Sequence, residues 1–460
     1  MNTRCMVQTI LAVASLASGA VSAADLKDVY ERALTNDPLI READANRLAT
    51  RESRPQAIAA LLPQVRADGT WYDTIDSNST GTFVAPGVPL TPDVRNFDGD
   101  REAWNLSLRQ SVFSWESWAA LRRADSERAQ AEADYLVAQQ DLVVRTAAAY
   151  FNVLAARDTL EAGQAAYDAI GRQLEQSEKR FEVGLIAVTD VQDAKAAFDS
   201  ATAALIQAKR NLATSGEILR ELTGDTWDVL ERPGDDMPLK SPDPESPDDW
   251  VKLAMDQNAR LISSQLAADI TRANVNVERG GHVPSVDFVV NRGFNETTGT
   301  LKGTTAGETS DRGYDTVYGL QVTVPIFSGG QTSSRVRQAE YRNIAARERL
   351  ERTARETERS TRDAYLGVNS EVARVKSLQQ AVESAKTALE ATEAGYEVGT
   401  RTSVDVLQAR QRLFQSQTDF ARSRYDYLLN VLRLQQAAGT LDRKGLEDIN
   451  ALLSENVTVR

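Results

Sequence analysis

RFEVGLIAVTDV, from Arg180 to Val191, and GYEVGTRTSVDVL, from Gly395 to Leu407, are two versions of one segment. Around them, Tyr150 to Gly224 realigns without a gap on Tyr365 to Gly439. Further upstream, LSLRQSVFS from Leu106 answers LQVTVPIFS from Leu320, and LLPQV from Leu61 answers HVPSV from His282. A chain made of two such halves builds one quasi-symmetric object, because each repeat offers the other the same faces to pack against.

Each half carries an apolar position every seven residues. In the first, Val191, Phe198, Leu205, Leu212 and Leu219 keep this spacing, with Ala194, Ala201 and Ala208 among the residues three further on. The second half copies it with Val406, Leu413, Phe420, Tyr427 and Leu434. A further run stands before each turn: Val153, Leu160, Tyr167, Leu174 and Phe181, matched by Val368, Val375, Val382, Leu389 and Tyr396. These are coiled-coil seams, and the small residues beside them let helix axes approach closely. The two long segments, Glu116 to about Val183 and Thr332 to about Val398, would each reach on the order of 100 Å as helices. Leu26 to about Leu61 and Thr189 to Leu222 are about half as long, so paired short helices are expected beside one long helix in each half.

Met1 to Ala23 reads as a secretory signal peptide, with Arg4, an apolar stretch from Ile10 to Ala17, and small residues Val21 and Ala23 at the cleavage positions. The one cysteine, Cys5, lies inside it, so the mature chain is expected to have neither disulfides nor a lipid anchor. The lone histidine, His282, has no companions for a metal. The chain has 53 basic and 66 acidic residues and a net charge of −13, a poor balance for binding nucleic acid. After the leader no apolar run is long enough for a membrane helix. An integral protein would have to cross through strands.

Four stretches alternate as strands do: 65–75, 103–113, 286–294 and 316–327. Each is close to the length of about 9–11 residues that a tilted membrane strand needs. Trp71, Tyr72, Trp104, Trp115, Trp118, Tyr314 and Tyr318 crowd their ends, as interfacial aromatics do. Ser77 to Asp100 and Thr297 to Gly313, rich in Gly, Ser and Thr, read as exposed loops. Four strands cannot close a barrel, because the smallest membrane barrels need about eight. Open edges in lipid are costly, so other copies of the chain must complete the ring, and three copies would supply twelve strands. The expected organisation is a leader (1–23), a first repeat (24–224), a proline-rich connector (225–249), a second repeat (250–439) and a tail (440–460).

With these features in place the chain resembles the TolC family of outer-membrane channel proteins. The resemblance rests on the two turn segments, on QSVFSW from Gln110 and VPIFSGG from Val324, and on RYDYLLNVLRLQQAAGTL from Arg424. It implies a mainly α fold with a membrane β-barrel, in which a homotrimer shares a twelve-stranded barrel continued by a periplasmic coiled-coil tunnel. It further implies an exit duct in the bacterial outer membrane, facing outer-membrane lipid, for drug efflux or type I protein secretion. A periplasmic adaptor and an inner-membrane transporter would work with it.

The resemblance also assigns roles to the two turns. Gate contacts fall on Thr189 and Asp190 in one turn and on Tyr396 and Arg401 in the other. Asp405, repeated three times, would form an acidic constriction ring that favours cations; the family's second acidic position is occupied here by Gln408. Val183, Gly184 and Leu185, with Val398, Gly399 and Thr400, are the tip residues open to an adaptor hairpin. From the residues alone, Gly184 and Gly399 suit the left-handed position that ends a helix, Thr189 with Gln192 reads as a capping box, and Ser403 as the cap of the second turn. The first helical turn also favours Asp190 and Asp405 through the helix dipole, without any gate. No phosphate-binding loop, nucleophile elbow or metal cluster is present, so no catalytic residue, no cofactor and no enzyme activity is expected. The alternative function is a non-channel periplasmic coiled-coil protein, structural or adaptor in role.

Overall fold

The structure, a computed structural model, describes residues 23–83, 91–234, 236–303 and 307–459. The expected leader, apart from Ala23, lies outside the described residues. In chain order the elements are α1 (Leu26–Asn36), α2 (Pro38–Arg51), α3 (Ser53–Ala59), β1 (Gln64–Phe83), β2 (Thr91–Phe113), α4 (Trp115–Glu182) and α5 (Val188–Thr223). After the connector strand β3 (Val229–Pro233) come α6 (Pro247–Gln257), α7 (Ala259–Arg279), β4 (Ser285–Gly303), β5 (Gly307–Thr323), α8 (Gln331–Glu397) and α9 (Ser403–Ala438). The tail adds α10 (Arg443–Asn450) and β6 (Leu453–Thr458). Two compact units divide the chain, and α4 and α8 each contribute part of their length to both.

One unit, 42–137 with 259–356, contains the membrane strands. They form a four-stranded antiparallel sheet in the order β1-β2-β4-β5, which leaves β1 and β5 as open edges. Paired residues share a face, so the register sorts the side chains. One face carries Val65, Leu108, Val290 and Tyr318 in one row, and Trp104, Phe294 and Tyr314 in another. The opposite face carries Asp68, Asn105 and Asp315, and further along Arg109, whose guanidinium meets Asp287 at 2.6 Å. This division into an apolar and a polar face is the one a barrel wall needs. In the helices of this unit, Arg47 on α2 pairs with Glu132 of α4 at 3.1 Å, and Arg279 of α7 pairs with Glu340 of α8 at 2.9 Å. The short helices therefore lie along the long ones.

The strands run well past the alternating stretches. β1, β2, β4 and β5 are 20, 23, 19 and 17 residues long. Ser77 to Asp100 and Thr297 to Gly313, expected as loops, are mostly strand. Their Gly, Ser and Thr content gave no apolar alternation, yet each strand continues in register with its neighbour, and pairing rather than side-chain chemistry defines them. The hairpin tips, 84–90 and 304–306, lie outside the described residues. At the other end β5 stops at Thr323 rather than continuing to Phe327, where Pro325 has no N–H to donate.

The second unit, 23–41 with 138–258 and 357–459 among the described residues, holds the coiled-coil seams, connector and tail. Tyr167 of α4 lies 5.0 Å from Phe198 of α5 between ring centroids, and Gly171 beside it leaves the ring room. The connector is not a loose strap. β3 pairs antiparallel with β6 of the tail, and Ala24 bridges to Leu230 in parallel. Tyr150, fully buried on α4, donates to the Glu231 carbonyl at 2.6 Å and accepts from the Glu231 amide at 3.0 Å. Its counterpart in the repeat, Tyr365 on α8, donates to the Glu245 carbonyl. Tyr425 of α9 donates to Asp158 at 2.6 Å, and Arg232 of β3 pairs with Glu455 of β6 at 2.8 Å. Burial pushes the Asp158 carboxyl up from its ordinary value, against the lowering effect of the Tyr425 hydroxyl and the arginines beside it.

Tyr150→Phe takes the Tyr150 donor from the Glu231 carbonyl, while the Glu231 amide keeps the Ala24 carbonyl at 3.2 Å, and about 1–3 kcal/mol of stability should be lost. Tyr365→Phe removes a more open hydrogen bond and should cost about 0.5–1.5 kcal/mol. Denaturant unfolding followed by the helical circular-dichroism signal measures both. A loss from Tyr365→Phe as large as that from Tyr150→Phe would contradict the ranking.

Candidate functional site

The two turns close by the same backbone device. At the first, the Gly184 amide donates to Phe181 at 2.8 Å and the Leu185 amide to Arg180 at 2.9 Å. At the second, Gly399 donates to Tyr396 at 3.1 Å and Thr400 to Gly395 at 2.8 Å. These are paired Schellman bonds, and both glycines sit in the left-handed region, with φ of 74° and 78°. A side chain there would be strained, so the sequence can end the helix tightly only with glycine. Val183, Leu185 and Val398 around them are 70%, 73% and 75% exposed. Large apolar side chains left this open are available to another protein.

The starts of the following helices differ between the repeats. In α9 the cap is Thr402, whose hydroxyl accepts from the Asp405 amide at 3.3 Å while the Asp405 carboxylate accepts from the Thr402 amide at 2.9 Å. Ser403, expected as the cap, is the first helical residue, because Thr402 is the last with extended backbone. In α5 the extended residue is Ala187, which offers no side-chain cap. Thr189 lies inside the first turn of α5, so it forms no capping box with Gln192. Asp190 and Asp405 occupy equivalent positions, but only Asp405 is engaged by a cap. The Thr402 amide and hydroxyl hold the Asp405 carboxyl below its ordinary value.

Tyr396 and Arg401 are neighbours through Gly395, where an added Cβ would lie 2.8 Å from the Arg401 Cγ. The Tyr396 ring lies under the Arg180 guanidinium, 4.9 Å from its centroid, so a cation from the first turn stacks on the aromatic of the second. The Tyr396 hydroxyl is buried without a hydrogen-bond partner. Among the described residues no hydrogen bond or ion pair joins Thr189 or Asp190 to Tyr396 or Arg401 within the chain. Sequence reasoning missed Arg180. The signal was available: the repeat sets Arg180 against Gly395, a large cation against no side chain at a position where the flanking residues match.

Behind the turns, Arg410 of α9 reaches Glu393 of α8 at 2.8 Å. Between α4, α5 and α9, small and apolar residues including Gly163, Ala166, Ala197, Ala201, Leu407 and Phe414 line a groove of about 390 Å³. No His, Cys, Asp and Glu group suited to a metal occurs among the described residues. No helix among them is long and apolar enough to cross a membrane.

The family model of outer membrane efflux proteins matches residues 29–225 and again 250–440. The outer membrane protein TolC of Vibrio cholerae serotype O1 is 37% identical over 435 residues, covering 94% of this chain and 95% of that protein. The alkaline protease secretion protein AprF of Pseudomonas aeruginosa is 29% identical, covering 93% of this chain and 86% of its own length. In fold, the chain is similar to the CmeC outer membrane channel of Campylobacter jejuni, with a TM-score of 0.70 at 18% identity over 93% of this chain and 90% of that one. The family match, close homology to TolC and a sheet with an apolar outer face agree, and the chain belongs to the outer membrane efflux protein family, as an exit duct of the outer membrane with a large periplasmic part.

Proposed function

We propose that three copies of this chain share one twelve-stranded barrel and one periplasmic helical tunnel, shut at rest by the two turns of each copy. The observation that carries this reading is the open sheet. β1 and β5 leave their outer edges unpaired beside an apolar face. Unpaired backbone groups in lipid cost several kcal/mol each, and another copy of the same sheet is the natural partner. The double match of the family model, once to each half, supports the internal duplication. The organisation proposed is the one set out above, from repeat 24–224 through connector 225–249 to repeat 250–439 and tail 440–460.

In this duct Asp190 is the acceptor free for a neighbour, Arg401 the planar donor fork, and Thr189 and Tyr396 the hydroxyl partners. The missing contacts within the chain favour pairing between copies. Exposed pairs of this kind are worth about 0–1 kcal/mol each, weak enough to yield to a partner. Asp405 forms the acidic ring. A periplasmic adaptor docks on Val183, Gly184, Leu185, Val398, Gly399 and Thr400 and joins the duct to an inner-membrane transporter. The relative named for alkaline protease secretion supports protein as one cargo, besides the small molecules of efflux.

Native mass spectrometry of detergent-extracted protein should give a trimer; a monomer would overturn the shared barrel. Arg401→Ala and Asp190→Ala should each raise closed-state conductance in planar bilayers, by roughly ten- to a hundredfold if three weak pairs open together. Unchanged conductance in both removes the gate from these residues.

Asp405→Asn should weaken block by multivalent cations, while Thr402→Ala, which breaks the cap but keeps the charge, should leave the block in place. Because the Asp405 carboxyl is held below its ordinary value, its charge and its cap persist above that lowered value and are lost only as pH falls through it. Block in the parent should therefore survive below the usual carboxylate range. Equal block in Asp405→Asn and parent would put the ring elsewhere.

A further inference from the structure

The apolar face of the sheet contains one residue that does not belong in hydrocarbon. In register, Arg292 shares its row with Ala67, Leu106 and Thr316. The row on the hairpin side is the aromatic one, in which Trp104, Phe294 and Tyr314 touch, with ring centroids 6.2 Å apart for Trp104 and Phe294 and 4.9 Å for Phe294 and Tyr314. The rows on the helix side hold Val290 and Tyr318, then Phe288 and Leu320, then Val286 and Val322. From Phe294 to Val286 the strand covers about 26 Å at about 3.3 Å per residue, or about 20 Å of depth at a tilt of about 40°, close to the apolar band of a membrane barrel. The helices join the opposite end of the strands from the hairpins, and they form the periplasmic part. The aromatic row therefore marks the outer-leaflet boundary, and Arg292 lies about 5 Å inside it.

Arg292 is exposed, and among the described residues no hydrogen bond or ion pair holds it. No carboxylate occupies any row of this face from Trp104 down to Val322. Beyond the aromatic row stand Glu102 and Glu296, but Arg312 already pairs with Glu296 at 3.9 Å and stacks over Phe294 at 5.4 Å, between Arg292 and that carboxylate. A permanently charged side chain facing lipid is tolerated where it can snorkel to an anionic group at the boundary. We propose that Arg292 binds the phosphate of an outer-leaflet lipid, drawing the headgroup down against the rings of Trp104 and Phe294. A guanidinium suits this ligand because its planar donors match phosphate oxygens in pairs. The proposal rests on the apolar face being the lipid face.

One label tests both the face and the arginine. Val290→Cys, two residues from Arg292 on the same face, is labelled with bimane in the full-length protein and reconstituted into phosphatidylcholine vesicles. Brominated phosphatidylcholine should quench it; absence of quenching would show that the face does not meet lipid, and the proposal falls with that reading. At equal mole fraction, brominated phosphatidic acid should be preferred at this site by about fivefold, the effect of one arginine beside an anionic lipid. Adding Arg292→Gln should abolish the preference while quenching by phosphatidylcholine stays intact, and Arg292→Lys should keep part of it. Equal quenching by the two lipids in the parent, or a preference that survives Arg292→Gln, would overturn the assignment. So would displacement of the anionic lipid by millimolar inorganic phosphate, which would make this a site for free anion.

Discussion

Everything in this chain is arranged around backbone hydrogen bonds that water cannot satisfy. A strand in hydrocarbon must find its partners in protein, and a sheet with β1 and β5 at open edges cannot finish that task alone. In the proposed assembly, oligomerisation is a condition of residence in the membrane rather than an addition to a folded monomer. In that assembly β1 of one copy would meet β5 of the next, which asks for edge strands of similar length, and these have 20 and 17 residues.

The duplication keeps some features and changes others, and the changes fall at the turns. Both turns end on a left-handed glycine with the same pair of backbone bonds. The next helix, however, begins at Ala187 in one repeat and at Thr402 in the other. The result is one aspartate bound by its own helix start and one aspartate left for other company. The Arg180 cation on Tyr396 then ties the first turn to the second within a copy. If the two turns gate the duct as proposed, the difference between the halves gives it one helix start with a side-chain cap and one without.

Much of this was legible in the sequence because it depends on period. Seven-residue spacing gave the extents of α4, α5 and α8 to within a residue or two and the seam of α9, and alternation located the lower halves of all four strands. Composition misled where pairing governs: the distal strands are built of Gly, Ser and Thr, whose side chains announce a turn while the ladder holds an extended chain. The α9 cap slipped by one residue because Thr402 and Ser403 are both good capping side chains, and only the backbone shows which is extended; the α5 cap slipped by two, to Ala187, which has no capping side chain. Arg180 is marked in the sequence only by its mismatch with Gly395, because its aromatic partner, Tyr396, is far away along the chain. The pairing partners of Asp190 and Arg401 were out of reach for a different reason, since nothing within one chain supplies them. The alternative of a periplasmic coiled coil without a channel does not fit the family to which the chain belongs.

The hairpins are about twice as long as a bilayer needs. Their distal halves must stand beyond the membrane as a continuous ladder rather than as mobile loops. Proteases cleave chain that can be drawn out into an extended, unpaired form, and each of these strands is held by hydrogen bonds to at least one neighbouring strand. The cell surface is thereby shown a hydrogen-bonded rim, and its strands resist digestion because the ladder keeps them from being drawn out.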